Sequence, residues 1–148
     1  MRKELYTEIE IAADAGRVWD VLTDFARFPE WNPFIRSIQG EREIGARLSV
    51  RIEPPGGRPM AFRPMVVTVR PRGELGWIGR LGVPGLFDGE HSFRIDPLTG
   101  GRVNFIQREV FTGVLVPLVW RALNRRVRAG FEAMNAALRA RAEGAGEQ

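Results

Sequence analysis

Hydrophobic and polar positions alternate along most of the first two thirds of the chain, and a helical period replaces the alternation in the last third. Leu5, Thr7, Ile9 and Ile11 alternate with Tyr6, Glu8 and Glu10, the period of a half-buried strand over residues 5–11. Asp14 offers a helix cap, and Val18, Val21, Leu22 and Phe25 share one face of a short helix that the pattern predicts from Ala15 to about Asp24. Phe25, Phe28, Trp31 and Phe34 then recur every three residues while Pro29 and Pro33 interrupt, which predicts a second helix of one or two turns running into a strand.

Strand patterns follow at 34–39, 47–53, 61–70, 74–81, 87–95 and 102–111. Turns rich in glycine and proline separate them. Pro54-Pro55-Gly56-Gly57 and the run from Asp96 to Gly101 are the strongest, and 81–85 is a looser loop. Beyond Phe111 the period lengthens: Val116, Trp120, Leu123, Val127, Phe131, Met134 and Leu138 fall at three- and four-residue steps, while Arg121, Arg125, Arg128, Glu132 and Arg139 fall elsewhere. One amphipathic helix reaching about Arg141 is expected. The order is therefore strand, two short helices, six antiparallel strands and a long helix, an α+β fold in which a single helix faces a curved sheet of about seven strands and encloses a pocket. One domain over residues 1–142 is expected, with a disordered tail at 143–148.

Pairing the last two strands across the 96–101 turn puts Ile95 opposite Val103, Phe93 opposite Phe105, His91 opposite Gln107, Gly89 opposite Glu109 and Phe87 opposite Phe111. Because the aromatic members must be buried, alternation turns His91, Gln107 and Glu109 inward and Arg94, Arg102 and Arg108 outward. Three polar groups then line an apolar wall, where burial costs free energy unless they bond to one another, to backbone, to water or to a ligand.

Composition narrows the chemistry. With 44% hydrophobic and 27% charged residues the chain is an ordinary globular one. It has no cysteine, which excludes disulfides, thiolate metal sites and cysteine nucleophiles and fits a reducing compartment. The first five residues lack the apolar core of a secretory signal, and the run 114–120 is too short to span a bilayer, so a cytoplasmic protein without stable membrane insertion is expected. The formal net charge of +4 comes from arginines dispersed along the chain, which speaks against nucleic acid as a partner. There is no phosphate-binding glycine loop, no His-Glu-x-x-His pair and no nucleophile elbow, and a single histidine without cysteine makes zinc unexpected; neither metal nor cofactor is indicated.

Residues 12–31, reading AADAGRVWDVLTDFARFPEW, then Trp31-Asn32-Pro33-Phe34, Gly89-Glu90-His91-Ser92-Phe93 and Phe111-Thr112-Gly113 resemble the START-like (SRPBCC) superfamily, within it the polyketide cyclase/dehydrase-type branch. That resemblance spans nearly the whole chain. It implies a helix-grip fold with a hydrophobic cavity, hosting functions from lipid carriage to cyclisation and chaperone activation. The leading expectation is a small hydrophobic ligand, lipid-, aromatic- or polyketide-like, held between sheet and helix. The alternatives are a cyclase- or dehydratase-type enzyme and a protein-interaction module.

The candidate catalytic pair is His91, the only histidine, with Glu109 as its acid–base partner. The competing reading has His91 and Gln107 satisfying each other and merely orienting a ligand, or sitting at the sheet's edge in water. Candidate ligand contacts are Trp31, Asn32, Phe34, Trp77, Phe93, Phe105, Gln107, Trp120, Leu123 and Val127. The alternative reading makes Trp31 and Phe34 core, Asn32 the residue shaping the turn before Pro33, and Trp77 filler rather than pocket wall. Residues 82–85 and 113–117 are the expected mouth. Arg121, Arg125, Arg126 and Arg128 attract an anionic ligand or form a solvated helix face.

Overall fold

Alternation in the first strand and in the last two builds one sheet. The computed structural model describes residues 2–144. β1 (Arg2–Ile11) pairs antiparallel with β8 (Val103–Thr112), which pairs with β7 (Asp88–Pro97), then β6 (Glu74–Arg80) and β5 (Met65–Arg70). Three short strands, β2 (Ile35–Gln39), β3 (Ser49–Ile52) and β4 (Met60–Phe62), form a second sheet. The segment before β3 stitches the two together, through main-chain bonds of 2.8–2.9 Å linking Gly45, Ala46 and Leu48 to Val66 and Pro64.

The architecture is the helix-grip arrangement, with a long C-terminal helix, α3 (Val116–Gly144), packed against curved antiparallel sheet. The expected strand at 61–70 is two strands, β4 and β5. Pro64 has no N–H for a ladder, so the chain breaks there and the Pro64 carbonyl accepts from Leu48 instead.

The β7–β8 register differs from the expected one by two residues. His91 lies opposite Glu109, Phe93 opposite Gln107, Ile95 opposite Phe105 and Pro97 opposite Val103. β7 continues to Pro97, and the Leu98 N–H donates to the Arg102 carbonyl at 2.7 Å, so the turn is tighter than its glycines suggest. A slip of two keeps every side chain on its face, so the inward set is unchanged while its partners are reassigned.

α1 (Ala15–Thr23) starts where Asp14 accepts the Arg17 N–H at 2.8 Å. A 3₁₀ turn (Phe25–Arg27) and α2 (Phe28–Trp31) follow. The Arg17 guanidinium donates to the carbonyls of Arg141 and Ala142, satisfying acceptors that the end of α3 leaves open. Glu143, expected to begin a tail, belongs to the last turn of α3, where its carboxylate accepts the Ala12 N–H at 2.8 Å. The remainder of the expected tail, 145–148, lies outside the described residues. Midway along α3, Gly130 lets the Phe34 ring lie against the helix; a Cβ there would fall on that ring. Phe34 in turn meets Phe131 edge to face, with ring centroids 5.8 Å apart.

Candidate functional site

A cavity of about 240 Å³ opens between the two sheets and the N-terminal half of α3. Its aromatic wall is Phe34, Phe62, Trp77, Phe87 and Phe111, and Ile35, Val50, Ile52, Leu123 and Val127 supply the aliphatic side. Space exists because small residues stand where large ones would fill it, namely Ala61 on the small sheet and Gly79 and Gly89 on the large one. Alternation fixes the inward side chains of β6, β7 and β8, and the helical period fixes those of α3.

Three polar side chains, Arg80, His91 and Glu109, interrupt the apolar wall. His91 and Glu109, directly opposite on β7 and β8, both line the cavity, with His91 Nδ1 3.7 Å from Glu109 Oε1. Gly89 makes room for this carboxyl, since a Cβ at that position would collide with Glu109 Oε2. The imidazole is stacked between Phe93 at 4.4 Å and Phe131 at 4.8 Å, with Trp77 at its edge.

Burial sets the protonation of both groups. It pushes the His91 imidazolium down to about 3, against a smaller opposing pull from the Gln107 hydrogen bond. It pushes the Glu109 carboxyl up to about 8. Glu109 retains 17% of its side-chain exposure, but that surface faces an apolar-walled cavity, so desolvation dominates. At neutral pH the pair is therefore a neutral carboxylic acid beside a neutral imidazole rather than an ion pair. One group donates a proton and the other accepts one, an arrangement suited to hydrogen-bonding a polar head or to acid–base work.

Of the residues singled out in the sequence, Phe34, Trp77, His91, Glu109, Leu123 and Val127 converge on the cavity. Phe93 and Phe105 lie beneath it in the closed core. Gln107 is fully buried behind His91, its Oε1 2.9 Å from Nε2. Trp120 packs on Phe111 at the outer end of the helix, beneath the Lys3 ammonium, and does not line the cavity. Trp31 lies elsewhere, in a polar groove with Asp20, Asp24 and Arg27, against Phe28. Asn32 shapes the turn, its Oδ1 accepting the N–H groups of Phe34 and Ile35 at 2.9 and 2.8 Å. Arg121, Arg125 and Arg126 line neither that groove nor the cavity, whereas Arg128 donates to Asn124 and to the Tyr6 carbonyl.

The two expected mouth segments meet. Val114 and Leu115 donate to the carbonyls of Gly85 and Leu86, beside Leu81 and Phe87 on the cavity rim. Sequence reasoning missed Phe62 and the β2–β3 aliphatic side chains, whose short strands carry little period. It also missed Thr7 and Asn135, buried polar residues that continue the His91–Gln107 contact. Asn135 did leave a trace, a lone amide among Phe131, Met134 and Leu138. Among the described residues no three His, Asp or Glu side chains converge as a metal site, and no helix is long and apolar enough to cross a membrane.

The family model described as "Polyketide cyclase / dehydrase and lipid transport" matches residues 2–143. Among solved structures, the Zhui aromatase/cyclase from Streptomyces sp. R1128 is similar with a TM-score of 0.78 at 16% identity, over 97% of this chain and 94% of that one. A norcoclaurine synthase point mutant from Thalictrum flavum, in complex with a transition state analogue, gives 0.76 at 15%, over 99% and 97%. A START superfamily protein from Mycobacterium smegmatis gives 0.73 at 21%, over 96% and 98%. At these identities the likeness is one of fold. No curated protein matches the chain by sequence.

Proposed function

The chain belongs to the polyketide cyclase/dehydrase and lipid transport family, and from that membership and the cavity we propose that it binds a small hydrophobic ligand between its sheets and α3. The observation that carries this reading is the apolar cavity on which a few polar groups, His91 and Glu109 among them, converge, the usual make-up of a small-molecule site. Its volume, about 240 Å³, falls just under the range of roughly 300–1,000 Å³ common for ligand pockets. That size suits a molecule of one to three rings better than a long acyl chain.

The test is titration with the neutral fluorescent probe N-phenyl-1-naphthylamine. Wild-type protein is expected to bind one equivalent, and Val127→Phe, which puts a ring into the cavity, is expected to lose at least about tenfold in affinity while keeping its melting temperature. No binding by the wild type, or equal binding by the variant, would overturn the proposal.

A second reading, an enzyme of cyclase or dehydratase type using the same cavity, is favoured by the neutral acid–base pair of Glu109 and His91. In that case Glu109→Gln, tested on candidate polyketide-like substrates, removes turnover and leaves probe affinity nearly intact. Parallel losses of both would mark Glu109 as a binding residue.

A further inference from the structure

A chain of hydrogen bonds crosses the interior behind His91, and the main chain fixes its direction. Thr7 Oγ1 lies 3.0 Å from the Gln107 carbonyl, which can only accept, so the Thr7 hydroxyl donates its one proton there. Thr7 Oγ1 is then the acceptor for Asn135 Nδ2 at 2.9 Å. Asn135 must therefore turn Oδ1 toward Gln107, whose Nε2 donates to it at 2.8 Å and also faces the Phe131 carbonyl at 3.4 Å. What remains for His91 is Gln107 Oε1, an acceptor only, 2.9 Å from Nε2.

An acceptor at that place requires a proton on Nε2. A neutral imidazole carries one ring proton, so Nδ1 keeps a bare lone pair on the side of Glu109. Gln107 and Asn135 are almost wholly shut off from water, so turning either amide would set donor against donor and acceptor against acceptor with nothing to compensate.

We propose that Thr7, Asn135 and Gln107 are positioning residues that hold His91 as its Nε2–H tautomer, so that the cavity presents a bare Nδ1 beside the Glu109 carboxyl and selects an apolar ligand bearing a hydroxyl. A ligand hydroxyl donates to Nδ1 and accepts from the carboxylic acid. An ether oxygen accepts but has nothing to donate, and a plain ring does neither. The positioning role stands without a ligand; the selectivity rests on the ligand-binding reading above. Burial, which holds Glu109 up at about 8 and His91 down at about 3, keeps the two groups in these neutral forms.

His91 is the chain's single histidine, so nitrogen-15 NMR of imidazole-labelled protein shows one pair of ring resonances. In the ligand-free wild type at neutral pH, Nε2 is expected at the protonated position and Nδ1 at the unprotonated one. A reversed or averaged pair overturns the proposal without any variant having to fold. Asn135→Leu frees the Gln107 amide to turn and is expected to average the two resonances, with Thr7→Val as a milder change at the far end of the chain. An unmoved tautomer in a folded variant of either kind overturns the positioning role of the residue removed.

The ligand half uses 2-naphthol and 2-methoxynaphthalene. Naphthol is expected to bind at least about tenfold more tightly, since a site built around a hydroxyl rejects analogues that cannot donate, and to shift the Nδ1 resonance. Equal affinity overturns hydroxyl selection and leaves the cavity reading intact. No binding by either overturns both of those and leaves the positioning role to the tautomer measurement.

Discussion

The two halves of α3 carry the same kind of apolar stripe and meet the sheet in opposite ways. In the C-terminal half, Phe131, Met134 and Leu138 are fully buried, and Phe93 and Phe105 are buried in the same core, so the interior is filled. In the N-terminal half Val116 and Val127 are buried, but Trp120 and Leu123 are only half-buried. There the positions across the gap include Gly79, Gly89 and Ala61, and space remains. The helix does not decide where the cavity lies. Small residues on the strands do, because a close-packed interior leaves a void only where the facing side chains are too short to interdigitate.

Truncating one helix residue in each half is the strongest way to break that contrast. Phe131→Ala removes a fully buried ring that supports Phe34 and His91, and is expected to cost about 3–5 kcal/mol of unfolding free energy. Leu123→Ala enlarges a space that is already open and should cost less than about 1.5 kcal/mol, while weakening probe binding. Urea denaturation of both variants measures the difference. Comparable losses would mean that the N-terminal half is packed as tightly as the other and that the cavity is closed in solution.

The contrast also explains what the sequence made legible. The period-2 and period-3.6 patterns named the elements and the inward faces, because burial on one side of a strand or helix forces those periods whatever the tertiary detail. Phe34, Trp77, His91, Glu109, Leu123 and Val127 were reachable in that way. Which inward residues line space and which fill it depends on the size of the partner across the gap, and that requires the register. The β7–β8 pairing was displaced by two residues, a slip the pattern cannot detect because both registers bury the same faces. Trp31 misled for another reason. Its three-residue spacing with Phe28 and Phe34 is real, but the end of α2 carries it into a separate groove beside α1. The bland readings of Asn32 as a turn residue and of Gln107 as the partner of His91 describe the observed geometry.

A smaller effect sharpens the boundary between the two halves, where His91 and Glu109 stand with Trp77, Phe93 and Phe131 packed around the imidazole and Arg80 the charged residue on the cavity lining. Glu109 titrates near 8 when folded against 4.5 when unfolded, and His91 near 3 against 6.5. Between pH 3 and 4.5 the unfolded chain holds one proton more, on His91, so stability rises with pH. Between 4.5 and 6.5 the extra proton on unfolded His91 balances the one on folded Glu109, and the pair contributes no slope. Between 6.5 and 8 the folded protein holds one proton more, so stability falls as pH rises. Each flank spans about 1.5 pH units, worth about 2 kcal/mol. Glu4, held below the ordinary carboxylate range by its hydrogen bond to Arg108, adds to the acid flank, which leaves the alkaline flank as the diagnostic one. Denaturation curves at pH 6.5 and 8 should therefore differ by about 2 kcal/mol in the wild type and coincide in Glu109→Gln, whose amide mimics the protonated acid. Gly89→Ala, by driving the carboxyl from its recess toward the mouth, should shrink the same flank. An alkaline slope that survives Glu109→Gln would show that Glu109 is ionised in the folded protein, and the pair would then belong to the solvated mouth rather than to the closed half behind it.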